Sequence, residues 1–103
     1  MESGAQLILR ERLRQIQKEG WTKEHDDAHV GNELLGAARA YALVAYHPNI
    51  FGEDFPPTSF PSKWDKKWWK PSKDPKRNLV KAGALIAAEI DRLLRKEENE
   101  AGD

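Results

Sequence analysis

The sequence predicts an all-α fold: three principal helices in a small bundle, with a long Trp/Pro-rich irregular loop between helices two and three. Three stretches repeat their apolar residues with the helical period, and no alternation typical of β-strands competes with them. All six prolines lie between Pro48 and Pro75, which places the irregular stretch between the second and third helices. A chain of 103 residues can form one modest core, so we expect a single domain.

The first helix is predicted over residues 6–19. Leu9, Leu13 and Ile16 follow the i, i+4, i+7 spacing of an apolar stripe, while charged residues occupy the other faces. Gly20 suits the left-handed backbone position that commonly follows the end of a helix.

The second helix is predicted over residues 27–46. Its stretch ELLGAARAYALVAY is apolar on nearly every side, which indicates burial on most faces. Its glycine and alanine residues would let neighbouring helices approach closely, and Pro48 ends it. A chain of this length has little else with which to cover such a helix, so burial by self-association is one interpretation.

The third helix is predicted over residues 74–97. Asp74 is a favourable N-cap, and Pro75 takes the first helical position, where its missing N–H costs nothing. A continuous apolar stripe follows, formed by Leu79, Gly83, Ile86, Ile90 and Leu93 and widened by Ala82 and Leu85. The acidic tail, residues 98–103, is expected to fray.

The loop between the second and third helices covers residues 47–73. Its large aromatic residues are Phe51, Phe55, Phe60, Trp64, Trp68 and Trp69. Leaving that much apolar surface in water would be unfavourable, so we expect the loop to fold back over the helices. A loop of this length in a small domain is usually functional or a packed cover.

The composition bounds the class of protein. Lys+Arg and Asp+Glu balance at 17 each, so no overall basic field favours nucleic acid, and we consider a nucleic-acid partner unlikely. The absence of cysteine excludes disulfides and thiolate metal sites. No apolar run approaches the roughly 20 residues that span a bilayer, and the N-terminal residues lack signal-peptide character. We therefore expect a cytoplasmic protein with no membrane partner.

The segment EHDDAH, residues 24–29, is a candidate metal site. On a helix, Asp26, His29 and Glu33 are spaced i, i+3, i+7 and share one face, and His25 is a further possible donor. Mixed histidine and carboxylate ligands suit zinc, while Mg²⁺ and Mn²⁺ prefer carboxylates. The alternative is that these acidic residues cap the helix and complement its positive end.

The segment KWDKKWWKPSKDPKR, residues 63–77, is a candidate ligand site. Its six Lys and one Arg are interleaved with three Trp, a pattern that can stack a base and hold phosphates. The alternative is that the Trp rings pin the loop to the core while the Lys side chains extend to water. The candidate ligand-binding residues are Trp21, His25, Arg39, Trp68, Trp69, Lys70, Arg77 and Lys81.

Two segments resemble a known group of enzymes. ERLRQIQKEGWTKEH (residues 11–25) resembles the opening of short phage and prophage proteins in the MazG-like all-α nucleoside triphosphate pyrophosphohydrolase group, and RNLVKAGALIAAEIDRLLR (residues 77–95) resembles their last helix. A broader likeness, over residues 11–95, is to small phage-encoded proteins without an assigned activity.

The resemblance implies a helical, oligomeric protein with a nucleotide site walled by the second and third helices. It also implies Mg²⁺ bound through an E-x-x-E motif on one helix and an E-x-x-D motif on the next. Glu33 matches one position of the first motif. Asn78, Lys81 and Ala82 stand where the second motif has acidic residues.

These observations lead to three functional hypotheses. The leading one is a phage-type accessory protein that binds a nucleotide-like or phosphorylated small ligand without hydrolysing it. The first alternative is a pyrophosphohydrolase with altered ligands for Mg²⁺ or another divalent metal. The second is a helical module for self-association, as a homo-oligomer, or for protein interaction. The sequence shows neither a nucleophile elbow nor a Gly-rich phosphate loop, so no residue is assigned a catalytic role.

Overall fold

The structure is a computed structural model that describes residues 1–22, 24, 26 and 32–102. Its helices are α1 (Gly4–Lys18), α2 (Glu33–Tyr46) and α3 (Pro75–Ala101), with a single 3₁₀ turn at Lys66–Trp68. The predicted all-α fold is confirmed: in the described part of the chain, three principal helices form, with a long irregular connection between α2 and α3. Among the described residues, no helix has the length and apolar composition needed to cross a membrane.

Capping residues set the start of α1 and α3. Ser3 and Gln6 form a capping box, in which each side chain accepts a hydrogen bond from the other residue's backbone N–H, so α1 begins before the predicted residue 6. Asp74 caps α3 by accepting from the Lys76 N–H at 3.0 Å, and Pro75 is its first residue, as predicted.

The C-terminal ends of α1 and α3 compare differently with their predictions. Gly20 has the expected left-handed backbone, with φ of 74°, just after α1. However, α3 does not end at residue 97; it continues to Ala101, and the Gly102 N–H still donates to the Glu98 carbonyl at 3.0 Å. Glutamate and alanine are good helix formers, which explains this extension. The predicted start of the second helix, residues 27–31, lies outside the described residues.

The core forms where α2 packs on α3 and the loop closes over both. From α2 the core takes Leu34, Ala37, Ala38, Ala40, Tyr41 and Val44. From α3 it takes mainly Ala82, Leu85 and Ala88, and Trp21, Trp64 and Trp69 complete it. The loop therefore folds back over the helices as expected. The apolar second helix is covered within one chain, so its burial does not require a second copy.

The apolar stripes predicted for α1 and α3 lie largely outside this core. Leu9 and Leu13 of α1 are 61% and 46% exposed, and the buried face of α1 is polar. On α3, Ile86 and Ile90 are 44% and 52% exposed, and Asn78, Ala82, Leu85 and Ala88 face inward instead. The spacing of apolar residues thus identified the helices; on α3 it included the inward-facing Ala82 and Leu85, but on α1 it did not find the buried face.

Two glycines let other parts of the chain come close. A Cβ at Gly36 on α2 would lie 2.5 Å from the Ser59 carbonyl oxygen of the loop. A Cβ at Gly83 on α3 would lie 2.6 Å from Cδ1 of Ile8 on α1. The first neighbour is backbone and the second is the end of a flexible side chain, so only the second can move aside easily.

We expect Gly36→Ala to lower the free energy of unfolding, although alanine favours a helix over glycine by about 1 kcal/mol. Overpacking against the Ser59 backbone costs about 1–3 kcal/mol and outweighs that gain. Gly83→Ala is the matched control, with a smaller loss because Ile8 can rotate. Urea unfolding measures both variants. A Gly36→Ala protein as stable as the wild type would contradict the close approach of the loop.

Candidate functional site

The polar face of α1 is buried because its charges are paired. Glu11, only 2% exposed, accepts two hydrogen bonds from Arg14 at 2.8 Å and one from Arg77 of α3 at 2.5 Å. Burial alone would raise the pKa of Glu11. The hydrogen bonds and positive charges of Arg14 and Arg77 outweigh burial and hold that pKa below its ordinary value. Glu11 is thus a buried, ionised carboxylate that ties α1 to α3.

A second carboxylate, Glu19, extends the arrangement to the loop. It accepts from Lys70 Nζ at 2.9 Å and from Arg14 Nη1 at 3.2 Å. The hydrogen bond from Lys70 is the main reason that the pKa of Glu19 is lowered; partial burial opposes it and Arg14 adds to it. Arg14 therefore bridges the two carboxylates, and Lys70 is held against the end of α1.

Lys81 of α3 lies beside Tyr41 of α2. Its Nζ donates to the Lys70 carbonyl and lies 5.6 Å from the centre of the Tyr41 ring. Burial, together with the positive charge of Arg77, lowers the pKa of Lys81 to about 8. Burial raises the pKa of Tyr41 to about 12, so its hydroxyl stays protonated at neutral pH.

The Tyr41 hydroxyl fixes the loop at this point. It donates to the Trp68 carbonyl at 2.9 Å and accepts from the Lys70 N–H at 3.0 Å. A buried tyrosine hydroxyl needs such partners, and here the partners are loop backbone. The position of Lys70 in the site thus follows from a residue of α2.

These side chains surround a small cavity. Gln15, Trp21 and Trp68 complete its walls, and its volume of about 20 Å³ is room for about one water molecule. Gln15 is 2% exposed, and its Nε2 donates to Glu11 at 3.4 Å. Its Oε1 is buried and meets no hydrogen-bond donor among the described residues. That oxygen is an acceptor available to a water or a ligand.

The site has more positive than negative charge. Arg14, Lys70, Arg77 and Lys81, here called the cation cluster, surround only two carboxylates, those of Glu11 and Glu19. Four cations against two carboxylates leave two positive charges in excess. This excess lies at the mouth of the cavity, because the Arg14, Lys70 and Arg77 side chains are 37%, 53% and 38% exposed.

Five of the eight predicted ligand-binding residues meet at this site: Trp21, Trp68, Lys70, Arg77 and Lys81. Trp69 faces elsewhere in the core, packed on Tyr41 and donating from Nε1 to the Gly52 carbonyl at 2.9 Å. Arg39 is exposed and lies two positions before Tyr41 on α2, so its side chain leaves the helix on a different side. His25 lies outside the described residues.

The tryptophans mainly pack the loop against the helical core. Trp21, Trp64 and Trp68 form a cluster with ring centres 5.2–5.6 Å apart. Trp21, Trp64 and Trp69 are 4–7% exposed, so they have little face to offer a base. Trp68 is partly exposed and borders the cavity, which makes it the ring best placed for stacking.

Two of the proposed metal ligands, Asp26 and Glu33, lie among the described residues. Asp26 is fully buried, and its Oδ2 lies 2.7 Å from Arg12 Nη2, a positive charge that disfavours a second cation. Glu33 borders a surface hollow with Ser59 and Lys63. His25 and His29 lie outside the described residues. Within the part of the chain that the structure describes, no three His, Asp or Glu side chains form a group suited to a metal.

The third helix differs from the resembled enzymes at the positions of their second motif. The Asn78 side chain donates to the Ser72 carbonyl and accepts from the Ser72 N–H, both at 2.8 Å, and so fastens the loop to α3. Ala82 is buried in the core, and Lys81 reaches the cavity. No protein-family model, curated protein or solved structure matches the chain. The likeness to the pyrophosphohydrolases therefore rests on the two sequence segments.

Sequence reasoning missed the α1 part of the site. The apolar stripe predicts Glu11 and Arg14 on the other faces of the helix, where charged residues usually lie, and it assigns no role to Gln15 or Glu19. The available signal was the i, i+3 and i, i+4 spacing of Glu11 with Arg14 and Gln15, which marks a continuous polar face. Tyr41, a single hydroxyl in an apolar helix, was a second signal.

Proposed function

We propose that the protein binds a small nucleotide-like or phosphorylated molecule through the cation cluster and does not hydrolyse it. The observation that carries this proposal is that three cations, Arg14, Lys70 and Arg77, pair with Glu11 and Glu19 beside a cavity that Lys81 also lines. A phosphate or similar anion at the mouth of the cavity would neutralise the excess charge. The field is local, since the whole chain has no net charge.

The arginines keep donors free for such a ligand. A guanidinium has five N–H groups in a fixed fork, and Arg77 uses one Nη2 hydrogen bond to hold Glu11. Its remaining donors, with the exposed ammonium of Lys70, suit the oxygens of a phosphate. Glu11 holds Arg77 and Glu19 holds Lys70 in place before the ligand arrives, which reduces the entropy cost of binding.

The size of the cavity limits how the ligand lies. A nucleotide does not fit in about 20 Å³, so its anionic end would lie over the mouth. The partly exposed Trp68 ring borders this mouth and could stack a base. The free Oε1 of Gln15 could accept a hydrogen bond from a ligand hydroxyl or from a bridging water.

Two features favour binding over hydrolysis. The resembled enzymes hold Mg²⁺ with carboxylates, but here Glu11 and Glu19 are held by arginine and lysine side chains. A third-helix lysine, Lys81, stands where a metal-binding acid would be needed. The metal-dependent hydrolase remains the alternative, with Asp26, His29 and Glu33 as its candidate ligands for Mg²⁺ or another divalent metal.

We expect ATP and inorganic pyrophosphate to bind in calorimetric titrations, and Lys70→Gln and Arg77→Gln to weaken that binding. Losing one charge-assisted hydrogen bond, worth about 1.5–3 kcal/mol, raises the dissociation constant about 10- to 100-fold. Lys76→Gln is the control, because this lysine of α3 is 86% exposed and paired with its neighbour Asp74.

Three outcomes would contradict the proposal. These are no binding of any phosphorylated compound, an equal loss in Lys76→Gln, and release of pyrophosphate from nucleoside triphosphates with Mg²⁺ or Mn²⁺. The last outcome, if abolished by Glu33→Ala, would establish the hydrolase instead.

A second candidate function, self-association, is favoured by the exposed face of α3. Leu79, Ile86, Ile90 and Leu93 are 43–54% exposed and repeat at the spacing of a coiled-coil seam. The start of α3 is basic and its end is acidic, so α3 of a second copy fits best in the antiparallel direction. Antiparallel pairing centred on residue 88 would place Ile86 opposite Ile90 of the second copy, beyond Gly83, where Ile8 of α1 already packs on α3.

Sedimentation velocity over a wide range of protein concentration tests this pairing. We expect a homodimer that Ile90→Glu converts to monomer, because the new charge would be buried at the centre of the seam. Asp91→Ala, on the same helix but off the stripe, should leave the dimer intact. A wild-type protein that stays monomeric throughout the range would contradict it.

A further inference from the structure

We propose that Lys81 is a reactive amine that condenses with the carbonyl group of a small anionic aldehyde or ketone to form an imine. The proposal rests on the proposed function, because the cation cluster would hold the anionic group of that compound. It adds a covalent step at a named atom, Nζ of Lys81, and a class of ligand, a carbonyl compound that carries a phosphate or similar anion.

The surroundings of Lys81 differ from those of three lysines that form ion pairs. Lys67, Lys70 and Lys76 are each paired with a carboxylate. Lys81 has no carboxylate within ion-pair distance among the described residues, and its Nζ donates to the Lys70 carbonyl instead. A lysine without a carboxylate partner gains less from carrying its proton.

The groups that face Lys81 oppose its charge on balance. They come from all four packed segments: Arg77 on α3, Glu11, Arg14 and Glu19 on α1, Tyr41 on α2 and Lys70 in the loop. Partial burial removes water that would solvate the ammonium, and three of these neighbours are cations. A pKa of about 8 is consistent with this arrangement. At pH 7.5 about a quarter of such an amine is neutral, against about a thousandth of an ordinary lysine.

The step balances without an oxidant or a cofactor. The neutral Nζ attacks the carbonyl carbon, and the π electrons of the C=O bond move to oxygen. A proton passes from nitrogen to that oxygen, giving a carbinolamine. The nitrogen lone pair then forms the C=N bond and expels hydroxide, which leaves as water with the remaining N–H proton, so that amine and carbonyl compound give imine and water.

The site favours this step in two ways. An anionic group held by Arg77 and Lys70 would bring the carbonyl carbon close to Nζ, which raises its effective concentration. The carbonyl compound would meet Nζ at the mouth of the cavity, where the Trp21, Tyr41 and Trp68 side chains shield one side of the imine from water and slow its hydrolysis.

The test uses pyridoxal 5′-phosphate, an aldehyde that carries a phosphate, on the full chain. Borohydride reduces the imine to a stable secondary amine, and peptide mass spectrometry locates it among the ten lysines. We expect Lys81 to be labelled first, at least about tenfold faster than Lys76, with a rate that rises most steeply near pH 8. Lys81→Arg should abolish the fast phase, and Lys76→Arg should preserve it.

The wild-type distribution of label is informative even if a variant folds poorly. Labelling spread over the exposed lysines, with Lys81 no faster than the rest, would overturn the proposal. Pyridoxal without the phosphate separates the two claims. If both aldehydes label Lys81 at the same fast rate, the reactive amine stands and the anion site fails. If pyridoxal 5′-phosphate labels Lys81 much faster than pyridoxal does, both the reactive amine and the anion site stand.

Discussion

The buried carboxylate of Glu11 is the interaction on which the rest of the site depends. An ionised group that is 2% exposed has to be paired, because an unpaired buried charge costs several kcal/mol. Its partners, Arg14 and Arg77, come from two helices, so the pairing fastens α1 to α3. The same two arginines then reach the surface with donors to spare. A structural requirement of the core thus assembles half of the cation cluster.

The loop supplies a third cation, Lys70, which backbone hydrogen bonds hold in place beside Lys81 of α3. The Tyr41 hydroxyl holds the backbone of Trp68 and Lys70, and the Asn78 side chain holds both backbone groups of Ser72. These bonds bring the Lys70 ammonium to Glu19 and its carbonyl to Lys81. The aromatic residues of the loop bury the apolar surface, while two polar side chains from α2 and α3 set its path.

The sequence predicted the helices from strong local signals and could not predict how α1 faces the core. The Asp74–Pro75 cap and the apolar run of α2 each depend on adjacent residues, and both predictions were confirmed. The inward face of α1 depends on Arg77, which lies 66 residues from Glu11 in the chain. Counting apolar positions favoured Leu9 and Leu13, since no local feature shows that a distant arginine will pair with Glu11. For the same reason, the lysine- and tryptophan-rich segment was identified as a site, but its carboxylates were not.

The pH dependence of stability tests the role of Glu11 most directly. Because its pKa is lower in the folded chain than its ordinary value of 4.5, its contribution to stability is complete above pH 4.5. That contribution is lost as the pH falls through the folded-state pKa. Urea unfolding of wild type and Glu11→Gln between neutral and acid pH should show a steep acid loss in the wild type. The loss should be smaller in Glu11→Gln, where only Glu19 of this pair remains. Identical acid profiles for the two proteins would contradict the account.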